Sequence, residues 1–373
     1  MRDPRYSIAL LDWLACAGGG RDEPAVQAAR ALGDPVVVAG TSGHVLDFDD
    51  TYLPGIAHLS APTAPAALVV AAELGRRAGD ALDAYAEGFE AMAAVSRASY
   101  PALYDNGWHP TAVCGAVGAA VAAAALLDAP RDGAVAIALL QAVGLRAAFG
   151  SDGKSLQVGL AAAAGVTAAR LAKAGARVPL ERATAGFEQA TGGRYAEAGA
   201  GDALAIGDNW IKAWPCCLQT HGAIEAAARL DGGAPDDLAV TVHPVSLQAA
   251  GHGPEPANGL QAKFSIPYLT AYTLLHGPPV VESFARVDAD AVERARAIDV
   301  HADSSLRESE FVLHRAGGQE LVRVTAALGS PEQPMDAAAL RTKVEGLGGP
   351  ELAAALDDLQ RPAADLVALT GTS

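Results

Sequence analysis

Apolar and small residues dominate the first two thirds of the chain, in segments that are each about as long as one helix. Between about Ala64 and Leu230 these segments are rich in Ala and Leu and are separated by Gly, Pro or Asp. This pattern predicts a succession of α-helices that pack closely through small side chains. The predicted helices span residues 64–77, 82–99, 111–127, 132–149, 156–174 and 222–230.

The pattern changes after the turn-forming stretch Gly232-Gly233-Ala234-Pro235. Residues 238–243 show an alternating pattern that is rich in β-branched side chains, which predicts a strand. Further strands are predicted over 296–302, 310–315 and 319–326, with a hairpin turn at Gly317-Gly318 and a helix over 265–275. From Met335 onward the pattern is helical again. We therefore expect a mainly α fold with a large helical domain (1–231), a smaller α+β lid domain (232–334) and a C-terminal helical segment (335–373) that returns to the first domain.

Composition limits the classes of protein to consider. The chain has 373 residues, of which 51% are hydrophobic, so it can bury a large core. The net charge of −16 argues against nucleic acid as a partner, since phosphate binding needs clustered cations. The apolar runs 64–72 and 111–127 are shorter than the roughly 20 residues that cross a bilayer. We expect a cytoplasmic protein with no membrane partner, because the N-terminus lacks the apolar stretch of a signal peptide.

Cationic residues are unevenly chosen. The 27 basic residues comprise 22 Arg and only five Lys. Three of the five, Lys154, Lys212 and Lys263, lie in motif-like contexts, where a compact ammonium is needed and a planar guanidinium does not substitute. The four cysteines show no spacing typical of a disulfide framework or a zinc site.

Asp47, Asp49 and Asp50 place three carboxylates within four residues, which indicates a polar cleft, a helix cap or a metal site. Phosphatases of the haloacid dehalogenase type use a similar motif after a strand of a doubly wound sheet, but the helical pattern downstream disfavours that fold. Terpene cyclases also use such a motif, yet they need aromatic rings to stabilise carbocations, and only 5% of this chain is aromatic. Capping and a hydrogen-bonded turn remain the structural alternative.

Two further segments carry candidate chemistry. His109 precedes a predicted helix, and its titration range suits proton transfer near neutrality, although a purely structural histidine is the alternative. The segment from Lys212 to His221 combines a cation, two thiols and an imidazole. Its Cys216 and Cys217 are more typical of buried small side chains than of nucleophiles.

Taken in order on this helical background, these patches resemble the MmgE/PrpD family, which includes 2-methylcitrate dehydratase, cis-aconitate decarboxylase and iminodisuccinate epimerase. The matching motifs are Gly43–Thr51, Gly107–Thr111, Lys154 with Gly159–Ala162, Lys212 with Trp214–Cys217 and His221, and Ala262–Ser265 with Tyr268. The resemblance implies a large helical domain with an α+β lid, a homodimer, and chemistry on small di- or tricarboxylates without a cofactor or a metal.

The resemblance also implies which residues form the site. The expected catalytic residues are Asp47, His58, His109, Lys212 and Tyr268, and the expected substrate-binding residues are Thr51, Lys154, Cys217 and Lys263. The chain departs from the usual family pattern at Tyr52, Leu59, Gln157 and Ala213-Trp214. We therefore expect a nonstandard substrate.

The leading hypothesis from sequence is a dehydratase. Lys154 and Lys212 would hold a substrate carboxylate and stabilise enolate-like charge. His109 would act as the base, alone or with Asp47, and His58 or Tyr268 would protonate the departing hydroxyl, although the acid and base assignments are interchangeable. Decarboxylation and epimerisation share the same carbanion and remain alternatives. An alternative of another class is a non-catalytic dimeric scaffold.

Overall fold

The computed structural model describes residues 3–199, 203–230, 235 and 237–371. The turn-forming residues 232–234, at the expected domain boundary, lie outside this described part. The chain divides into two compact units. The first comprises Met1–Ala148, Asp152–Ile211 and Asp336–Ser373, and the second comprises Phe149–Ser151 and Lys212–Met335. The predicted fold class, a mainly helical protein with a small mixed sheet in its C-terminal region, is confirmed.

The first unit is built of helices with one short antiparallel ribbon. Its helices are α1 (Pro4–Gly20), α2 (Pro24–Arg30), α3 (Pro35–Val45), α4 (Ser60–Glu73), α5 (Ala78–Ser99), α6 (Ala102–Asp105), α7 (Pro110–Leu127), α8 (Arg131–Leu139), α9 (Gly153–Lys173), α10 (Leu180–Thr191), α16 (Ala337–Gly348), α17 (Pro350–Ala353) and α18 (Ala363–Leu369). The ribbon pairs β1 (Thr51–Tyr52) with β2 (Asn209–Trp210). Helix α16 packs on α1, and α18 packs on α4.

Local sequence signals set where the helices near the site begin. Helix α3 starts at Pro35, and the Asp34 carboxylate caps it by accepting from the amides of Val36 and Val37. Proline suits the first turn of a helix because that turn has no use for its missing amide hydrogen. Pro110 starts α7 in the same way, which leaves His109 at the N-cap position with extended backbone.

Small residues let α9 approach its neighbours closely. A Cβ atom on Gly159 would lie 2.4 Å from the carbonyl oxygen of Val37 in α3, and one on Gly165 would lie 2.5 Å from that of Ala116 in α7. No side chain fits at either crossing. These contacts fix the start of α9, which carries Lys154, relative to the end of α3 and the start of α7.

One predicted helix is shorter than expected. The helix expected over 132–149 ends at Leu139. Beyond it the backbone pairs with the segment before α7 instead of continuing the helix. His109 N donates to the carbonyl of Gly144, and Arg146 N donates to that of Gly107. Gly144 has a φ of 139°, a conformation that glycine adopts readily.

Helices α7 and α9 are long and apolar enough to cross a membrane by length and composition alone. Other helices of the first unit explain much of that apolar character. Helix α7 is buried over 89% of its most apolar window and α9 over 56%. The core helix of a folded domain passes the same test.

The second unit carries a four-stranded sheet in the order β4-β3-β5-β6. Its strands are β3 (Leu238–Val242), β4 (Asp299–Ala302), β5 (Phe311–Arg315) and β6 (Glu320–Val324), and its helices are α11 (His221–Ala228), α12 (Pro244–Ala249), α13 (Gly259–Ala262), α14 (Ile266–His276) and α15 (Ala289–Ala295). Strands β3 and β4 are parallel, whereas β3–β5 and β5–β6 are antiparallel. The predicted hairpin at Gly317-Gly318 is confirmed, with Gly318 at a φ of 89°. Helix α11 lies against β5, where Gly222 meets the ring of Phe311.

Candidate active site

The loop between α3 and β1 carries the acidic cluster. Asp47 follows the end of α3 with a φ of 53°, a left-handed conformation that Asp tolerates better than most residues. The backbone turn places successive carboxylates in different directions. Asp47 is 3% exposed, and Asp49 and Asp50 are wholly buried. Buried carboxylates at this density require partners, and each of the three has a different set.

Asp49 lies between two imidazoles. Its Oδ2 is 2.9 Å from Nδ1 of His44 and 3.2 Å from Nδ1 of His58. Burial alone raises the pKa of Asp49, but the charges and hydrogen bonds of the two histidines outweigh burial and hold its pKa well below the usual range. The ionised carboxylate accepts a hydrogen bond from the Nδ1–H group of each ring. It therefore fixes the orientation of both imidazoles and turns Nε2 of His58 away from itself.

Asp47 contacts a cation and lies near the other end of His58. Its Oδ1 accepts a hydrogen bond from the Lys154 ammonium at 2.9 Å and is 3.9 Å from Nε2 of His58. Lys154 is only 7% exposed, in the first turn of α9. The hydroxyl of Thr51 is 3.4 Å from Nδ1 of His58, and Thr111 accepts from the His58 amide. The first unit thus brings Asp47, Thr51, His58 and Lys154 together.

His109 joins this group from the N-terminus of α7. Its ring stacks on that of His44 with centroids 6.1 Å apart, and the residue is 1% exposed. Burial, followed by the nearby Lys154 charge, holds the pKa of His109 well below its usual value. The imidazole is therefore neutral at neutral pH. Its Nδ1 contacts the side-chain amide of Gln157, one turn along α9 from Lys154.

Asp50 has partners of a different kind. Asp50 accepts hydrogen bonds from the amide and hydroxyl of Ser60 and from the side-chain amide of Asn209. The Ser60 hydroxyl also contacts the hydroxyl of Tyr85. Burial, and then the charge of Asp49, raise the pKa of Asp50 to about 7 in spite of these donors. The contacts tie the acidic loop to α4, α5 and the strand β2. Asp50 therefore has a structural role.

Four predicted site residues lie in the second unit and are described there alone. Lys212, Lys263 and Tyr268 are at most 5% exposed, and Cys217 is half-buried. The amide of Cys217 donates to the carbonyl of Lys263 at 3.0 Å, so these two predicted substrate-binding residues are adjacent. The hydroxyl of Tyr268 accepts from the amide of Asp288 at 3.0 Å, which leaves its own proton available for donation.

From sequence alone, no role was assigned to three residues that support the cluster. His44 contacts Asp49, and Gln157 contacts His109. The third is Lys343 of α16, whose ammonium donates to the carbonyl of Phe48 at 2.8 Å and lies 2.6 Å from Asp12. The ammonium also stands 3.9 Å from the centre of the Phe48 ring. A side chain from the C-terminal segment therefore holds the backbone between Asp47 and Asp49.

The residues His44, Asp49 and His58 have ligand atoms that all lie within 4.8 Å of one another, a spacing that could hold a metal ion. The same atoms already satisfy one another through hydrogen bonds. We therefore interpret this group as a hydrogen-bonded triad, and the absence of a metal stays a prediction.

The first unit carries a buried cluster of carboxylates, imidazoles and an ammonium, and the second unit carries two buried lysines, Lys212 and Lys263. The model of the MmgE/PrpD N-terminal domain matches residues 34–195, and that of the MmgE/PrpD C-terminal domain matches residues 214–364. The chain belongs to the MmgE/PrpD family and is a lyase-type enzyme of carboxylates.

Two similar curated proteins are fungal. A cis-aconitate decarboxylase of Aspergillus terreus is 29% identical over 363 residues, which cover 82% of this chain and 74% of the relative. A cis-aconitate decarboxylase of Aspergillus terreus strain NIH 2624 / FGSC A1156 is 29% identical over 353 residues, which cover 79% of this chain and 72% of the relative.

Proposed function

We propose that this protein is a cofactor-independent decarboxylase of a small di- or tricarboxylate. In the proposed reaction the C–C bond to one substrate carboxylate breaks and CO2 leaves. The electron pair is delocalised as an enolate-like anion onto the rest of the substrate, and His58 delivers a proton that forms the new C–H bond. This reaction requires one proton donor and cations that stabilise the developing charge.

The observation that carries the proposal is the contact between His58 and Asp49. An ionised carboxylate 3.2 Å from Nδ1 stabilises an imidazolium and keeps its proton-bearing Nε2 oriented. His109 differs because its neutral imidazole has no ionic proton to give at neutral pH. The first unit therefore offers His58 as the proton donor and His109 as a neutral neighbour.

Lys154 supplies the cation in the first unit. Its ammonium is almost buried and already contacts Asp47 at 2.9 Å, so it is held in place before a substrate binds. Charge interactions are stronger in such a poorly solvated site than in water. A substrate carboxylate beside Lys154 would keep its negative charge and stabilise the anion that forms after CO2 leaves. The catalytic roles expected of Lys212 and Tyr268 stay predictions, and so does the homodimer.

The relatives support decarboxylation over the other reactions of the family, because both similar curated proteins carry that activity in their names. Dehydration is the second candidate. It needs a base as well as an acid, and Asp47, 3.9 Å from Nε2 of His58, offers a second proton-transfer group. In that reaction His58 would protonate the departing hydroxyl and Asp47 would accept the carbon-bound proton.

A substrate panel separates these reactions. The purified protein is incubated with cis-aconitate and with other unsaturated or hydroxylated di- and tricarboxylates, and each reaction is followed by proton NMR and by CO2 release. Release of CO2 with a stoichiometric product supports the proposal. New vinyl signals without CO2 identify a dehydratase, and unchanged spectra across the panel for a folded protein contradict both proposals.

A further inference from the structure

Gln157 is clamped by a single backbone residue. Its Oε1 accepts from the amide of Leu145 at 3.0 Å, and its Nε2 donates to the carbonyl of the same residue at 3.2 Å. The backbone amide can only donate and the carbonyl can only accept. The two contacts therefore fix which end of the Gln157 side chain is oxygen and which is nitrogen.

This fixed orientation turns the Gln157 amide nitrogen towards His109. The contact joins Nε2 of Gln157 to Nδ1 of His109. An amide NH2 group has no acceptor site, so Nδ1 of His109 has to be the bare nitrogen of the ring. A neutral imidazole with a bare Nδ1 carries its proton on Nε2. A base that acts through Nε2 would need the other tautomer, with the proton on Nδ1 and Nε2 bare.

We propose that Gln157 is a positioning residue that locks His109 as the neutral Nε2–H tautomer, so that His109 donates a hydrogen bond to a substrate oxygen and does not act as the base. The inference rests on the proposed function for the identity of the substrate, a small carboxylate. The His109 N–H would be aimed at a carboxylate or enolate oxygen, where a preorganised donor stabilises developing charge. The base role for His109 expected from sequence is thereby replaced.

The surroundings of His109 agree with this role. Its ring is buried beside Lys154 and stacks on His44, and positive charge nearby disfavours a second proton on the ring. The loop that carries Leu145 is also tied to the His109 backbone, since His109 N donates to the Gly144 carbonyl. Clamp, loop and ring therefore form one hydrogen-bonded unit that holds the imidazole in a single orientation.

Nitrogen-15 NMR of histidine-labelled protein tests the tautomer without reference to activity. Protonated and bare ring nitrogens have well-separated chemical shifts, and the His109 signals are assigned by their loss in His109→Asn. In the wild type we expect a bare Nδ1 and a protonated Nε2 throughout pH 6 to 8. A protonated Nδ1, or two protonated nitrogens near neutral pH, would overturn the inference.

Variants of Gln157 test the consequence for catalysis. Gln157→Glu replaces the donor by an acceptor and should move the proton to Nδ1, with a fall in kcat of at least about tenfold, the value of one hydrogen bond. Gln157→Met removes both the clamp by Leu145 and the contact with His109, and it should lower kcat by a similar factor. The matched control is Gln141→Met, because among the described residues the Gln141 side chain donates to the Ile137 carbonyl at 3.3 Å and does not contact His109.

The outcomes separate this inference from the proposed function. An Nε2–H tautomer in a wild type that transforms no member of the substrate panel would refute the decarboxylase but retain the positioning role. An active wild type whose Gln157→Glu variant keeps both the tautomer and kcat would refute the positioning role. If Gln157→Met does not fold, the wild-type spectrum and Gln157→Glu still decide the question.

Discussion

Replacing Asp49 by Asn removes the negative charge that faces His58 while keeping the side chain nearly the same size. At 3.2 Å, and with an effective dielectric constant near 20, the attraction between this carboxylate and an imidazolium is about 5 kcal/mol. An opposite charge within about 4 to 6 Å favours the charged form of a titratable group. We therefore expect the alkaline limb of the pH–rate profile of Asp49→Asn to move towards lower pH, because the negative charge that favours the protonated donor is gone.

The same substitution disturbs orientation. In Asn one of the two oxygens becomes an NH2 group that cannot accept, so Nδ1 of His44 cannot keep both of its contacts, at 3.1 and 2.9 Å, with this side chain. Loss of the orienting carboxylate in a comparable Asp–His pair lowers kcat by about 10⁴. We expect a fall of about 10² to 10⁴ in kcat with a smaller change in KM.

The assay is CO2 release from the substrate identified by the panel, measured as kcat and KM between pH 5 and 9. Asp50→Asn is the matched control, because Asp50 is an equally buried carboxylate that contacts Ser60 and Asn209 and not His58. At pH 6, where Asp50 is largely protonated in the wild type, kcat of Asp50→Asn should stay close to the wild-type value. A fully active Asp49→Asn with an unchanged profile would refute the role of Asp49 in orienting and charging His58.

Three further predictions concern stability and metal dependence. The pKa of Asp50 is raised to about 7, so its contribution to stability is present in full below the unfolded value near 4 and is lost as the pH rises through 7. Asp50→Asn should therefore reduce the fall in unfolding free energy between pH 4 and 7 by about 4 kcal/mol, measured by urea denaturation; an identical pH dependence would contradict the assigned ionisation. Lys343→Met should cost about 3 to 5 kcal/mol in the same assay, since it leaves Asp12 buried without its cation, and the double variant Asp12→Leu with Lys343→Met should recover most of that loss. A single variant as stable as the wild type would show that this pair contributes little. Activity should survive exhaustive dialysis against a chelator. If activity is lost and Zn²⁺ or Mg²⁺ restores it, the hydrogen-bonded triad of His44, Asp49 and His58 would be the candidate metal site.

Local motifs made part of the site predictable. The resemblance to the MmgE/PrpD family predicts Asp47, His58, His109 and Lys154 as site residues, and the structure brings these four side chains together in the first unit. The helical pattern also located α4, α5, α7 and α9 to within a few residues. These features depend on nearby residues, which a reading along the chain can recognise.

Other parts depend on contacts between distant residues. Lys343 contacts Phe48 across 295 positions in the sequence, so no local pattern links them. The scarcity of Lys could have drawn attention to Lys343, but it would equally have pointed to Lys173, which is exposed and donates only to the Asp128 carbonyl. Burial in the folded chain is what distinguishes the two.

The role of Gln157 was missed for a related reason. Gln157 departs from the family pattern, and from sequence alone this departure indicates only a nonstandard substrate. Its effect on His109 depends on the clamp by Leu145, and that clamp exists because the helix predicted over 132–149 ends at Leu139. Because the prediction extended this helix to residue 149, it did not include the loop that carries Leu145 and orients His109 through Gln157.

If this protein is a decarboxylase, a carbon–carbon bond of the substrate breaks and the resulting carbanion is protonated. The most direct measurement follows turnover of cis-aconitate, labelled with carbon-13 in its carboxyl groups, in deuterium oxide by NMR. We expect labelled CO2 and one deuteron on the carbon that receives the proton, and we expect His58→Asn to lose both. A product formed without CO2, or wild-type turnover retained by folded His58→Asn, would contradict it.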